Sequence, residues 1–182
     1  MKMPNSFGKP RHRKIRGLSL NTMIPNILTL MALAAGLTSM RLAIQERWEL
    51  AVFSIVAAAI LDALDGRVAR LLKGSSKFGA ELDSLSDFVC FGVAPAMILY
   101  LWSMQDFGRS GWIIAMLFSM CCGLRLARFN VANEQDDAPP WMVNFFSGVP
   151  APAGAGLVLL PMILSFQFSD WFFRAPYLVS MF

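Results

Sequence analysis

The sequence predicts an all-α membrane protein folded as one helical bundle, on three observations. Of its 182 residues, 56% are hydrophobic and only 15% charged, with a mean hydropathy of +0.53, more apolar than a soluble domain of this size normally is. Five stretches, residues 23–44, 49–72, 79–102, 111–129 and 151–168, approach the roughly 20 largely apolar residues that a helix needs to cross hydrocarbon. No hydrophilic linker separates two domains and no repeat of fixed period occurs, so the chain divides into a basic tail, residues 1–22, and a transmembrane domain, residues 23–182.

Ahead of the first span stand Lys2, Lys9, Arg11, Arg13, Lys14 and Arg16. Positive charge there marks a cytoplasmic tail, so the net charge of +4 speaks for a bilayer and not for nucleic acid. Ala32-Leu33-Ala34 has the small-residue pattern of a signal-peptide cleavage site, but the apolar run continues past it, and the segment reads as a retained span. The second and third spans are joined by Gly74, Ser75 and Ser76, a short turn that forces them antiparallel. Beyond the fourth span lies the longest loop, with Pro139 and Pro140; Pro150 and Pro152 then mark the entrance of the fifth helix, where proline is tolerated. Alternation puts Lys73, Lys77, Arg125 and Arg128 on the cytoplasmic side and the link with Arg41, Glu46 and Arg47 outside. Residues 175–182 turn apolar again, so a six-span bundle with a truncated sixth span is expected. Cys90, Cys121 and Cys122, odd in number and all within spans, suit small core residues better than disulfides. His12 has no acidic or cysteine neighbour and reads as solvated.

The chemistry is carried by aspartates. An ionised carboxylate inside a span is costly unless it faces a polar cavity or binds a cation, and this chain has four: Asp62, Asp65, Asp83 and Asp87. Asp62, Asp65, Gly66, Ala69 and Arg70 follow one helical stripe, and Gly79, Asp83 and Asp87 step by four along another. Antiparallel helices let the two stripes face each other. Four converging carboxylates repel, and two divalent cations balance them; an all-oxygen donor set favours Mg2+ or Mn2+ over zinc. Such a pair can clamp a diphosphate and promote attack by an alcohol oxygen, which implies phosphoryl-type transfer. Gly66 and Gly79 leave room for a ligand between the helices, and Arg70 adds a cation suited to phosphate. The competing readings are a buried ionic network with Arg67, Arg70 and Lys73, or a cation path in a non-catalytic carrier.

The run Asp62, two residues, Asp65-Gly66, two residues, Ala69-Arg70, eight residues, Gly79, three residues, Asp83, three residues, Asp87 resembles the signature of the CDP-alcohol phosphotransferases at every fixed position. That resemblance implies a six-span bundle, commonly dimeric, in which Asp62, Asp65 and Asp83 hold two metals. Asp87 would hold one of them and act as the base on the incoming alcohol. Gly66, Ala69, Arg70, Ser76 and Gly79 would contact the CDP part of a CDP-diacylglycerol donor. In the first span Pro25-Asn26 and Thr29 resemble the segment that closes the nucleotide pocket in relatives, although Asn and Thr near a helix start also serve as caps.

The shared motif activates the donor and does not choose the acceptor. Residues 125–130, residues 146–153 and residues 83–88 together resemble bacterial membrane-embedded phosphatidylserine synthases, which implies L-serine as acceptor and the bacterial inner membrane as location. Under that resemblance Arg125 or Arg128 engages the serine carboxylate or lipid phosphate, and Asn130 and Ser147 supply hydrogen bonds. Both arginines also fit as positive-inside anchors, and Asn130 and Ser147 as cap or turn residues. Glycerol 3-phosphate, as in phosphatidylglycerophosphate synthases, is the alternative acceptor.

Overall fold

The computed structural model describes residues 20–72, 74, 76–134 and 149–166. These form five helices: α1 (Leu20–Ile44), α2 (Trp48–Leu71), α3 (Lys77–Phe107), α4 (Arg109–Glu134) and α5 (Ala151–Ser165). There is no strand among the described residues. Three of them, α1 over Met23–Ile44, α3 and α4 over Arg109–Val131, are long and apolar enough to cross a membrane. The expected sixth span lies outside the described residues.

Helices α1 and α2 form an antiparallel pair closed by a tight turn. Glu46 adopts a left-handed conformation (φ 60°), and the Arg47 N–H donates to the Leu42 carbonyl at 2.9 Å. Small residues bring the pair and its neighbours together: Ala32, Ala43, Ala51 and Ala58 are all buried. Small side chains matter here because lipid offers no hydrophobic drive for helix association, leaving close packing to hold it. Gly36 is required in this seam, since a Cβ there would stand 2.5 Å from Cys90 Sγ.

Helix α3 is not uniform. Its α-helical turns Lys77–Asp87 give way to a π segment, Phe88–Val93, then an α segment, Ala94–Leu99, a second π segment, Tyr100–Met104, and a closing 3-10 turn. In the first π segment the Ala94 N–H donates to the Val89 carbonyl five residues back. Pro95 follows immediately, and its missing N–H removes one rung of the α-helical ladder, which the wider turn accommodates. The helix ends at Gly108, whose φ of 56° suits glycine.

The core lies at the middle of the bundle, where Phe91, Ile98 and Met104 of α3 meet Ile55 of α2 and Leu159 and Met162 of α5. Helix α4 contributes little to it. Trp112, Ile113, Leu117, Met120 and Leu124 are exposed, an apolar surface that suits lipid. Cys90 is buried in the core, as expected of a small core residue, whereas Cys121 is exposed on the outer side of α4.

Candidate functional site

The C-terminal half of α2 and the first three turns of α3 carry the polar chemistry. Ser76 caps α3 by accepting the Gly79 N–H at 3.0 Å, the bond that starts the helix and fixes where its acidic face points. Asp83 and Asp87 follow on that face, and α2 presents Asp62 and Asp65 opposite.

One carboxylate oxygen each from Asp62, Asp65 and Asp83 can be chosen so that all lie within 4.8 Å of one another. Asp65 is nearly fully buried at 4% exposure, and its Oδ2 accepts the Thr29 hydroxyl at 2.6 Å. Asp87 lies beside Asp62 of the facing helix. Its Oδ1 is buried without a hydrogen-bond partner among the described residues. A buried polar atom in that state needs an explanation, and a hard cation among oxygen donors supplies one. Arg67 and Arg70 are exposed, and no ion pair joins them to these aspartates among the described residues. The buried ionic network expected as an alternative is therefore absent there; Lys73 lies outside the described residues.

Beside the carboxylates opens a cleft of about 190 Å³ between α1, α2 and α3. Asn26, Thr29, Gly66, Ala69, Ser76 and Gly79 all line it, together with Asp65 and Asp83. These are six of the seven residues expected to contact the donor. A Cβ at Gly66 would project into open space, whereas one at Gly79 would stand 2.8 Å from Asn26 Oδ1, so Gly79 is what lets Asn26 reach the cleft. Asn26 and Thr29 are not caps, because α1 begins at Leu20. Arg70, the seventh, stands outside the lining, exposed, with its Nε donating to the Gly66 carbonyl at 3.0 Å.

Of the residues expected to meet the acceptor, Arg125 and Arg128 are exposed on α4. Asn130 is half-buried and its Nδ2 donates to Ser84 Oγ at 2.9 Å, between Asp83 and Asp87 in sequence. Ser147 lies outside the described residues. Pro25 also lines the cleft, in keeping with its place in the first-span segment; sequence reasoning missed Gly74 and Ala80 in the cleft wall and Ser84 as the partner of Asn130. The spacing of Ala80 and Ser84 along the Asp83–Asp87 helix was the available signal for those two.

Comparison with known proteins agrees with this geometry. Residues 22–182 match the sequence model of the CDP-alcohol phosphatidyltransferase family. A Mycobacterium bovis protein named CDP-diacylglycerol--serine O-phosphatidyltransferase is 42% identical over 174 residues, covering 96% of this chain and 59% of the relative. Proteins of the same name from Helicobacter pylori and Bacillus subtilis are 43% and 36% identical, over 78% and 80% of this chain and 58% and 77% of their own lengths. The chain thus spans about three fifths of the mycobacterial relative.

Proposed function

Because the chain belongs to the CDP-alcohol phosphatidyltransferase family, we propose that it transfers the phosphatidyl group of CDP-diacylglycerol to L-serine, yielding phosphatidylserine and CMP. The observation that carries this reading is the convergence of Asp62, Asp65 and Asp83 beside a cleft lined by six of the seven motif and first-span residues expected to contact the donor. Asp62, Asp65, Asp83 and Asp87 hold two divalent cations, Mg2+ or Mn2+, which when bound neutralise charge on the diphosphate.

The chain's own residues do the rest. Asn26, Ala69 and Ser76 bind the CDP part in the cleft, with Gly66 and Gly79 leaving it room, and Arg70 attracts the diphosphate from the rim. The serine hydroxyl oxygen forms a bond to the phosphorus that carries the diacylglycerol. The bond from that phosphorus to the bridging oxygen breaks, and CMP leaves with that oxygen. Asp87, whose Oδ1 has no other partner among the described residues, accepts the hydroxyl proton. The serine reading is supported by the relatives' names and by Asn130, which reaches α3 beside Asp83 and Asp87. Arg125, Arg128 and Ser147 complete the acceptor side of this proposal.

The finer topology belongs to the same reading: a multi-pass, dimeric protein of six spans in the bacterial cytoplasmic membrane, tail and cleft facing the cytoplasm. Its support is the basic tail and the lysines and arginines near the cleft. In spheroplasts, a membrane-impermeant thiol reagent should label a cysteine introduced at Gln45 and spare one introduced at Lys77.

The decisive test incubates the purified chain with CDP-diacylglycerol, Mn2+ and either L-serine or glycerol 3-phosphate, and measures CMP. Serine-dependent release is expected. Release that depends on glycerol 3-phosphate instead refutes the acceptor. No release with either, together with cation flux in liposomes that survives Asp87→Asn, refutes transferase activity in favour of a carrier.

A further inference from the structure

Thr29 touches all three helices that build the site. Its hydroxyl lies 3.0 Å from the Pro25 carbonyl of its own helix and 2.6 Å from Asp65 Oδ2 of α2. Its backbone carbonyl accepts the Ser86 hydroxyl of α3 at 3.4 Å. A threonine inside a helix ordinarily rests its hydroxyl on the carbonyl four residues back, as Thr38 does on Ala34 at 2.7 Å and Ser54 on Leu50 at 2.9 Å. Thr29 has that option and is closer to the carboxylate. A hydroxyl has one proton to give, and a bond to an ionised acceptor is shorter and about twice as strong as a neutral one. The proton therefore goes to Asp65.

We infer that Thr29 is a positioning residue for the cation site, setting the plane of the Asp65 carboxylate, and is not chiefly a nucleotide contact. The inference rests on the metal reading proposed above. Asp65 is the most buried of the three clustered aspartates and the only one to which a described hydroxyl donates. With Oδ2 held from α1, the carboxylate cannot rotate away from Asp62 and Asp83, while its remaining lone pairs stay free for a cation. Partners that orient a ligand in this way change metal affinity by about 10–100-fold when removed. The geometry also gives α1, which carries no aspartate of the cluster, a direct influence on it.

The test compares Thr29→Val, which keeps the shape and deletes the hydroxyl, with Thr29→Ser, which keeps the hydroxyl. Binding of Mn2+ to the purified chain is read by electron paramagnetic resonance without nucleotide, with Asp65→Asn as reference. Thr29→Val should weaken Mn2+ binding by about 10–100-fold, and Thr29→Ser should restore most of it. Wild-type Mn2+ affinity in Thr29→Val, with only CDP binding impaired, overturns this inference and returns Thr29 to the nucleotide pocket. Equal loss in both variants also overturns it, because packing and not the hydroxyl would then matter. Failure of the wild-type chain to bind Mn2+ at all overturns the metal reading together with this one. A wild-type chain that binds Mn2+ but releases no CMP sinks only the proposed activity.

Discussion

Gly66→Ala separates stability from ligand binding, because the structure assigns it opposite effects on the two. Gly66 lies inside α2, where glycine costs about 0.5–1 kcal/mol relative to alanine. A Cβ there meets nothing within 4 Å, so no clash offsets that gain. Thermal unfolding without nucleotide should rise by a few degrees, at about 2–4 °C per kcal/mol for a chain of this size. The same methyl group, however, projects into a cleft of about 190 Å³. If the nucleotide fills the space over Gly66, crowding it costs about 1–3 kcal/mol, or roughly a 5- to 150-fold loss of CDP affinity. Differential scanning fluorimetry and CDP titration calorimetry on one preparation measure both. Unchanged CDP affinity would show that the nucleotide does not lie over Gly66, and a lowered melting temperature would refute the open space around it. Gly79→Ala supplies the contrast. Its Cβ would meet Asn26 Oδ1 at 2.8 Å and Ser76 Oγ at 3.1 Å, so it should lose both stability, by about 1 kcal/mol for the disturbed cap, and CDP affinity.

Two further outcomes follow from the site. Asp87→Asn should lower turnover by about 10²- to 10⁴-fold, as loss of a general base does, while CDP-diacylglycerol binding persists; turnover like the wild type refutes the base role. Asn130→Ala breaks the 2.9 Å bond to Ser84 and should raise the KM for serine while leaving the KM for CDP-diacylglycerol unchanged. A rise confined to the donor would move Asn130 to the nucleotide side.

Much of the bundle was legible because apolar runs and charges bound the helices sharply. The stretch expected at residues 49–72 forms the helix Trp48–Leu71 and that expected at 23–44 forms Leu20–Ile44, although only the second of these is among the three helices long and apolar enough to cross a membrane. The third helix was harder. It runs on to Phe107 and contains two π segments, which depend on where Pro95 removes a donor and on how the neighbouring turns repack. The facing of Asp62 and Asp65 toward Asp83 followed from spacing and a short turn. The contacts Thr29–Asp65 and Asn130–Ser84 did not, since periodicity gives the face of a helix but not the neighbour it meets. Arg70 shows the same limit in another form: the stripe places its Cα correctly, yet a long guanidinium side chain settles on the Gly66 carbonyl, outside the cleft wall. Cys121 fails for a related reason, because α4 is apolar on every side and periodicity cannot say which side meets protein.

The aspartate cluster also explains why the surrounding packing is so close. Unit charges about 4.8 Å apart, the spacing of the facing carboxylate oxygens, repel by about 3.5 kcal/mol per pair at an effective dielectric constant of 20. Three such pairs among Asp62, Asp65 and Asp83 would reach about 10 kcal/mol if all were ionised, comparable with the whole stability of an ordinary domain, about 5–15 kcal/mol. Cations or protons must therefore relieve most of it, and what remains must be resisted by rigid helices. The resistance sits where the repulsion would act. Gly36 against Cys90 seals α1 to α3, buried Ala58 packs α2 into the bundle about one turn before Asp62, and Thr29 ties α1 to α2 and α3 at the cluster itself. Bulk at Gly36 should therefore weaken cation binding from a distance, by letting the acidic faces of α2 and α3 spread. If Gly36→Val kept wild-type Mn2+ affinity in a chain that still folds, the coupling between packing and cluster would be refuted.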